Sequence, residues 1–224
     1  MAKFKLSEAD KKKISEAVKE AESRTSGEIA TAFIRESCDY AVYELIFAII
    51  VSLVYFTAML FFVPQIQNWL QSMFWDYSAA HLVAFYGFTT FLAGTLIYFL
   101  SNLDLIDRLI VPAGVKQKKV QERALLHFME SGVADTRDRT GILIFISLLE
   151  HRVVLLADKG INEKIGQTQW QEIVNHVTEG IRKGNFTDHL AASIRNCGKL
   201  LAAHFPIQDD DTNELSNDIK ELNR

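Results

Sequence analysis

Asp135, Asp138 and Asp158 are the side chains whose types and spacing come nearest to a chemical site. The first two sit in the run Asp135, Thr136, Arg137, Asp138, Arg139, Thr140, and the third opens Asp158, Lys159, Gly160. Between these runs, Gly141 to Leu149 and Arg152 to Ala157 are apolar and β-branched on either side of Glu150 and His151, which predicts a β-hairpin with strands buried on both faces. A hairpin sets the start of its first strand beside the end of its second, so both acidic loops share one edge. Three carboxylates there could hold a hard cation such as Ca²⁺ or Mg²⁺, with Arg137, Arg139 and Lys159 receiving a phosphate. The competing reading is favoured, because the ligand positions of an EF-hand loop are missing: the same residues pair as surface ion pairs.

Other chemistries lack their parts. His127, His176, His189 and His204 fall on helical patterns without the spacing of a zinc site, and there is no phosphate-binding glycine loop, dinucleotide fingerprint or nucleophile elbow. Cys38 and Cys197, the only cysteines, read as small packing residues and suit a reducing compartment. Glu150 and His151 read as polar turn residues with no further role. A net charge of −4 argues against nucleic acid as a partner.

The elements that must carry the two loops are split by an apolar block. Ser7 and Asp10 have capping-box spacing ahead of Ile14, Ala17, Val18 and Ala21, which predicts an amphipathic helix, and Glu28 to Arg35 predicts a strand. Further helices are expected around Val120, Ala124 and Phe128, from Trp170 to Ile181 behind a Thr168 and Gln171 capping box, and from Leu190 to Leu201. The strand before the block must find its partners after it, giving a small mixed α/β sheet flanked by helices on both faces. The expected parts are residues 1–36 and 116–206 of this α/β domain, a membrane segment over 37–115, and a solvated acidic tail over 207–224.

No Lys or Arg occurs from residue 36 to residue 107. Leu45 to Val63 is uncharged for 19 residues, roughly 28 Å of helix, and Ala79 to Leu100 is uncharged too, so each can span a bilayer. Gly87, Thr90 and Gly94 share one face of the second run and suit close packing against the first. Basic residues flank the hairpin, from Lys3 and Lys5 to Arg35 on one side and from Arg108 to Arg123 on the other, and none lies in the connecting loop. Both termini are therefore expected on the cytoplasmic side of a bacterial-type inner membrane. Leu105 to Val111 predicts a short amphipathic segment at the inner interface.

The run SGVADTRDRTGILIFISLLEHRVVLLADKGINEKI, then Trp170 and GIRKGNFTDHLAASIRNCGKLLAAHFP, resembles the C-terminal part of the TPM-domain family, and TSGEIATAFI at Thr25 to Ile34 resembles its first strand. The resemblance implies a helix-flanked α/β sandwich. The family includes thylakoid-lumen proteins linked to photosystem repair, membrane-associated bacterial proteins and an animal receptor-associated protein, and acid phosphatase activity and calcium binding are attributed to some members. Two departures stand out. Many members have an Asp-Asn-Gly turn where Asp138, Arg139, Thr140 and Gly141 stand here, and their membrane helix lies outside the domain rather than within it. The expected function is a non-enzymatic accessory module, tethered to the lipid bilayer, that assists assembly, repair or quality control of another membrane protein. A divalent-metal-dependent acid phosphatase is the alternative.

Overall fold

The computed structural model describes residues 6–101 and 103–223, without the side chains of residues 104 and 105. Lys3 and Lys5 of the basic flank, and the Leu105 side chain, lie outside the described residues. The chain forms two compact units, one of residues 1–38 with 113–224 and one of residues 39–112.

The first unit is a mixed four-stranded sheet in the order β3-β2-β1-β4, with β1 at Glu28–Ile34, β2 at Gly141–Ser147, β3 at Arg152–Ala157 and β4 at Lys220–Leu222. β1 pairs parallel with β2 and with β4, and β2 pairs antiparallel with β3. Strand periodicity sorts the side chains into two cores. Ile29 and Phe33 of β1, Ile142, Ile144 and Ile146 of β2 and Val153 of β3 face helices α1 (Glu8–Glu22), α8 (Gln167–Lys183) and α9 (Phe186–His204). Ala32, Ile34, Leu143 and Phe145 point the other way, onto Val120, Ala124 and Phe128 of α6 (Ala113–Glu130). Apolar material on both faces explains why β2 is buried at every position.

The local signals of α1 hold. Ser7 Oγ accepts the Asp10 amide at 3.1 Å, and the Asp10 carboxylate takes the Ser7 amide at 3.3 Å. The Thr168 and Gln171 capping box does not form: α8 begins two residues earlier than that box requires, behind Gly166 in extended conformation, and Gln171 instead donates to Asn175 at 3.0 Å. β3 is less buried than expected because it is an edge strand. The acidic tail expected to be solvated supplies β4, with Ile219 buried beside it. Its docking relies on carboxylates of the first unit: Glu28 accepts the amides of Glu214 and Leu215, and Glu22 accepts Asn217 Nδ2 at 2.7 Å.

The second unit holds two helices long and apolar enough to cross a membrane, α2 (Ala41–Leu60) and α4 (Ala79–Ser101). Only 11% and 6% of their most apolar stretches are buried, so most of their Leu, Ile, Val and Phe side chains face outward, unlike those of a soluble core. They are about 30 and 35 Å long. α2 ends before Val63 because a turn at Phe61 and Phe62 starts a separate helix, α3 (Val63–Met73), with Pro64 in its first turn. The connection predicted as a loop is thus largely helical, and its Trp69 packs edge-on to Phe85 at 5.8 Å. Gly94 gives α2 its close approach, since a Cβ there would lie 2.7 Å from Ser52 Oγ, while Gly87 meets nothing within 4 Å. A seven-residue helix, α5 (Asp104–Ile110), closes the unit before Pro112.

Candidate functional site

The two acidic loops do meet. After α6, Gly132 takes a left-handed conformation (φ 81°) and turns the chain into a 3-10 turn, Val133–Asp135. Thr136 is buried, and its Oγ accepts the Thr140 amide at 3.1 Å while its carbonyl accepts the Arg139 amide at 3.1 Å. The Thr140 hydroxyl donates to Ser26 O at 3.0 Å, fastening the loop to the residues before β1. From the other side, β3 runs into Asp158, which caps the short helix α7 (Lys159–Asn162) by accepting the Lys159 amide at 2.6 Å. A Cβ on Gly160 would stand 2.8 Å from Arg139 O and 3.2 Å from Asp138 O, so the loops touch backbone to backbone there.

The carboxylates nonetheless have separate tasks. Asp158 is nearly buried, with one oxygen in the cap and the other 3.8 Å from Arg139 Nη1, too long for a hydrogen bond. Arg139 sits at a positive φ of 56° and donates to Ala134 O at 2.5 Å, so its guanidinium is fixed to the loop backbone. Asp138 lies 3.7 Å from Arg137, whose guanidinium also reaches Asp210 in the tail at 3.2 Å and whose amide donates to the Glu214 carboxylate at 3.0 Å. Asp135 is exposed at the end of the 3-10 turn. Among the described residues, no group of three His, Cys, Asp or Glu side chains is placed to hold a metal ion. Of the three carboxylates, Asp158 is taken up by a helix cap and Asp138 by an ion pair.

Three polar clusters were not read from the sequence. Glu150 is buried and not a bare turn residue: its carboxylate accepts the Ser37 amide at 2.9 Å and the Ser147 hydroxyl, and Ser37 and Ser147 share a hydrogen bond of 2.8 Å. This network locks the β2–β3 turn to the end of β1. His176 of α8 and His189 of α9 stack at 4.4 Å, with His176 Nδ1 3.0 Å from Ser193 Oγ. Gly180 allows that stacking, since a Cβ there would fall 2.4 Å from His189 Cβ. Glu22 and Glu28 face the tail together. Burial pushes the Glu22 carboxyl up to about 7, against the Ile29 amide that it accepts at 3.0 Å, and burial also raises Glu28. Glu22 and Glu28 stand six positions apart and His176 and His189 thirteen, so no periodicity or motif announces either pair. Cys197 is a packing residue as expected, fully buried with its thiol pushed up to about 12 by desolvation.

A groove of about 850 Å³ lies along β3, between Gln117 and Gln121 of α6 and Trp170, Val174 and Asn175 of α8. Its lining includes none of the acidic-loop residues Asp135 to Thr140 or Asp158 to Gly160.

The family model described as the TPM domain matches residues 106–200. The resemblance read from the sequence therefore holds over β2, β3 and helices α6 to α8 and most of α9. A comparison with curated protein sequences finds no match. Among solved structures, the NMR structure of the BA42 protein from the psychrophilic bacterium Bizionia argentinensis is similar, with a TM-score of 0.59 and 19% identity over 99% of each chain. At that identity the likeness is one of fold.

Proposed function

We propose that this TPM-like chain is a membrane-anchored accessory module that binds another membrane protein and serves its assembly, repair or quality control, without catalysis of its own. The observation that carries the reading is the outward-facing apolar surface of α2 and α4, set in the middle of a folded α/β chain. Such a surface is costly in water and suits lipid. Both termini lie in the cytoplasm on this reading, because the basic residues flank the hairpin and the α3 connection has none. The state of the acidic loops supports a binding role: Asp158 is engaged in a helix cap, and Asp138 shares Arg137 with the tail.

The test is phosphate release from an aryl phosphate by the full-length protein in detergent, with Ca²⁺, with Mg²⁺ and with chelator. An Asp135→Asn, Asp138→Asn double variant is measured beside it. Equal, negligible rates in two folded proteins are expected. Metal-dependent turnover that the double variant loses would make the chain a phosphatase and overturn the accessory reading.

A further inference from the structure

β3 is the end strand of its sheet, and its free edge has a readable phase. The Asp158 amide donates to Gly141 O at 2.9 Å, so Arg152, Val154 and Leu156 turn their main-chain groups toward β2. By the same alternation, Val153, Leu155 and Ala157 turn theirs outward, into the groove. The Ala157 carbonyl is capped by Asn162 Nδ2 at 2.6 Å, and no strand among the described residues takes up the edge beyond it. Folded sheets usually blunt such an edge with a proline, a bulge or a charge pointing inward. β3 is a plain run of Arg, Val, Val, Leu, Leu and Ala.

The charge of the lining says what chemistry belongs there. It carries Arg152, whose guanidinium donates to Ala113 O at 3.3 Å, and Arg182, against one carboxylate, Glu150, which already serves the Ser37 amide and the Ser147 hydroxyl. The groove thus favours an acidic occupant.

We propose that the open edge of β3 is a docking site that takes up an extended, acidic polypeptide segment of a partner protein as an added strand. Main-chain bonds to Val153 and Leu155, and to the Ala157 amide, supply the pairing. Side chains of the added strand alternate between the Gln117 and Gln121 side of α6 and the Trp170 and Val174 side of α8. This deepens the accessory reading and rests on it.

The test uses the full-length protein in detergent micelles and a displayed library of short random peptides. Leu155→Pro is the decisive variant: proline removes an outward N–H, leaves the β2–β3 ladder its bonds, and is tolerated on strand edges. Arg152→Glu is the second, and the thermal melts of both are measured to show that they fold. Selected peptides should be extended and acidic, should slow amide exchange at Val153, Leu155 and Ala157, and should bind Leu155→Pro about tenfold more weakly. Arg152→Glu should abolish the preference for acidic peptides. No selected peptide, or peptides that bind both variants unchanged, would overturn the proposal. So would protection of the same amides by self-association without peptide, which would assign the edge to a second copy. Failure here without phosphatase turnover removes the groove assignment alone, whereas turnover that depends on Asp135 and Asp138 removes the accessory reading itself.

Discussion

Replacing Glu22 by Gln should make the α/β unit less sensitive to rising pH. The Glu22 carboxyl is raised from 4.5 to about 7, mainly by burial, with the Glu28 charge adding to the shift. The folded chain therefore binds the proton more tightly than the unfolded chain. This contribution to stability is complete below the unfolded value near 4.5 and is lost as pH rises through about 7. At full ionisation the loss corresponds to about 3 kcal/mol, which partial solvent access to Glu22 trims toward about 2 kcal/mol. Glutamine is neutral at every pH and keeps an oxygen for the Ile29 amide while giving up the Asn217 bond, a loss that does not vary with pH, so Glu22→Gln should gain on the parent chain as pH rises from 5 to 8. For a chain of this length the gain is about 4–8 °C in Tm. Trp170 is the single tryptophan of the α/β unit, so its fluorescence reports that unit once Trp69 and Trp75 are changed to Phe. Full-length protein in detergent, heated at pH 5, 6, 7 and 8 with and without Glu22→Gln, supplies the comparison. A Tm difference that stays constant across this range would refute the argument that burial governs Glu22.

Three other perturbations follow from contacts described above. Gly141→Ala places a Cβ 2.1 Å from the Val133 carbonyl, a backbone atom that cannot swing away, and should cost about 3 kcal/mol or prevent folding, as read by denaturant titration. Leu53→Lys puts a charge at the middle of α2 on an exposed apolar position and should cost about 3 kcal/mol of insertion, lowering the membrane-bound fraction on fractionation of expressing cells. Stripping divalent ions with a chelator should leave the Tm of the α/β unit within about 1 °C, since a bound ion at one hundred times its dissociation constant would add about 2.7 kcal/mol.

The sequence announced whatever depends on local period and chain-adjacent partners. Ser7 and Asp10 stand three apart at the start of an apolar helical pattern, and the cap forms. The apolar, β-branched runs from Gly141 to Leu149 and from Arg152 to Ala157 already contained the β2–β3 hairpin and the meeting of its two end loops. What was illegible required a third dimension. Tail residues 214, 215 and 217 are held by Glu22 and Glu28, nearly two hundred residues earlier, and composition alone makes a segment rich in Asp and Asn read as solvated. Glu150 looked like a turn residue because nothing near it in sequence reveals Ser37 as its partner. Thr168 and Gln171 mimicked a cap, but the extended backbone of Gly166 had already opened the helix. For the acidic loops, sequence gave the neighbourhood and the structure gave the occupation: a cap, two ion pairs and a fixed arginine.

The parallel pairing of β1 with β2 bears on how this chain is made. A ribosome delivers β1 first, and β1 then waits without its neighbour while the whole of α2 to α5 is synthesised. The crossover that completes a parallel pair is normally a single helix laid on the sheet. Here the helix on the sheet is α6, and an entire apolar hairpin, in which α2 packs against α4, precedes it. Closing a flexible loop grows dearer by about 0.6 kcal/mol for each doubling of its length, so prior assembly of the hairpin shortens the effective search that brings β2 to β1. On the proposed membrane reading, bilayer insertion becomes an early folding step of the α/β unit as well as its anchorage, and a hairpin that fails to insert lengthens the search that brings β2 to β1.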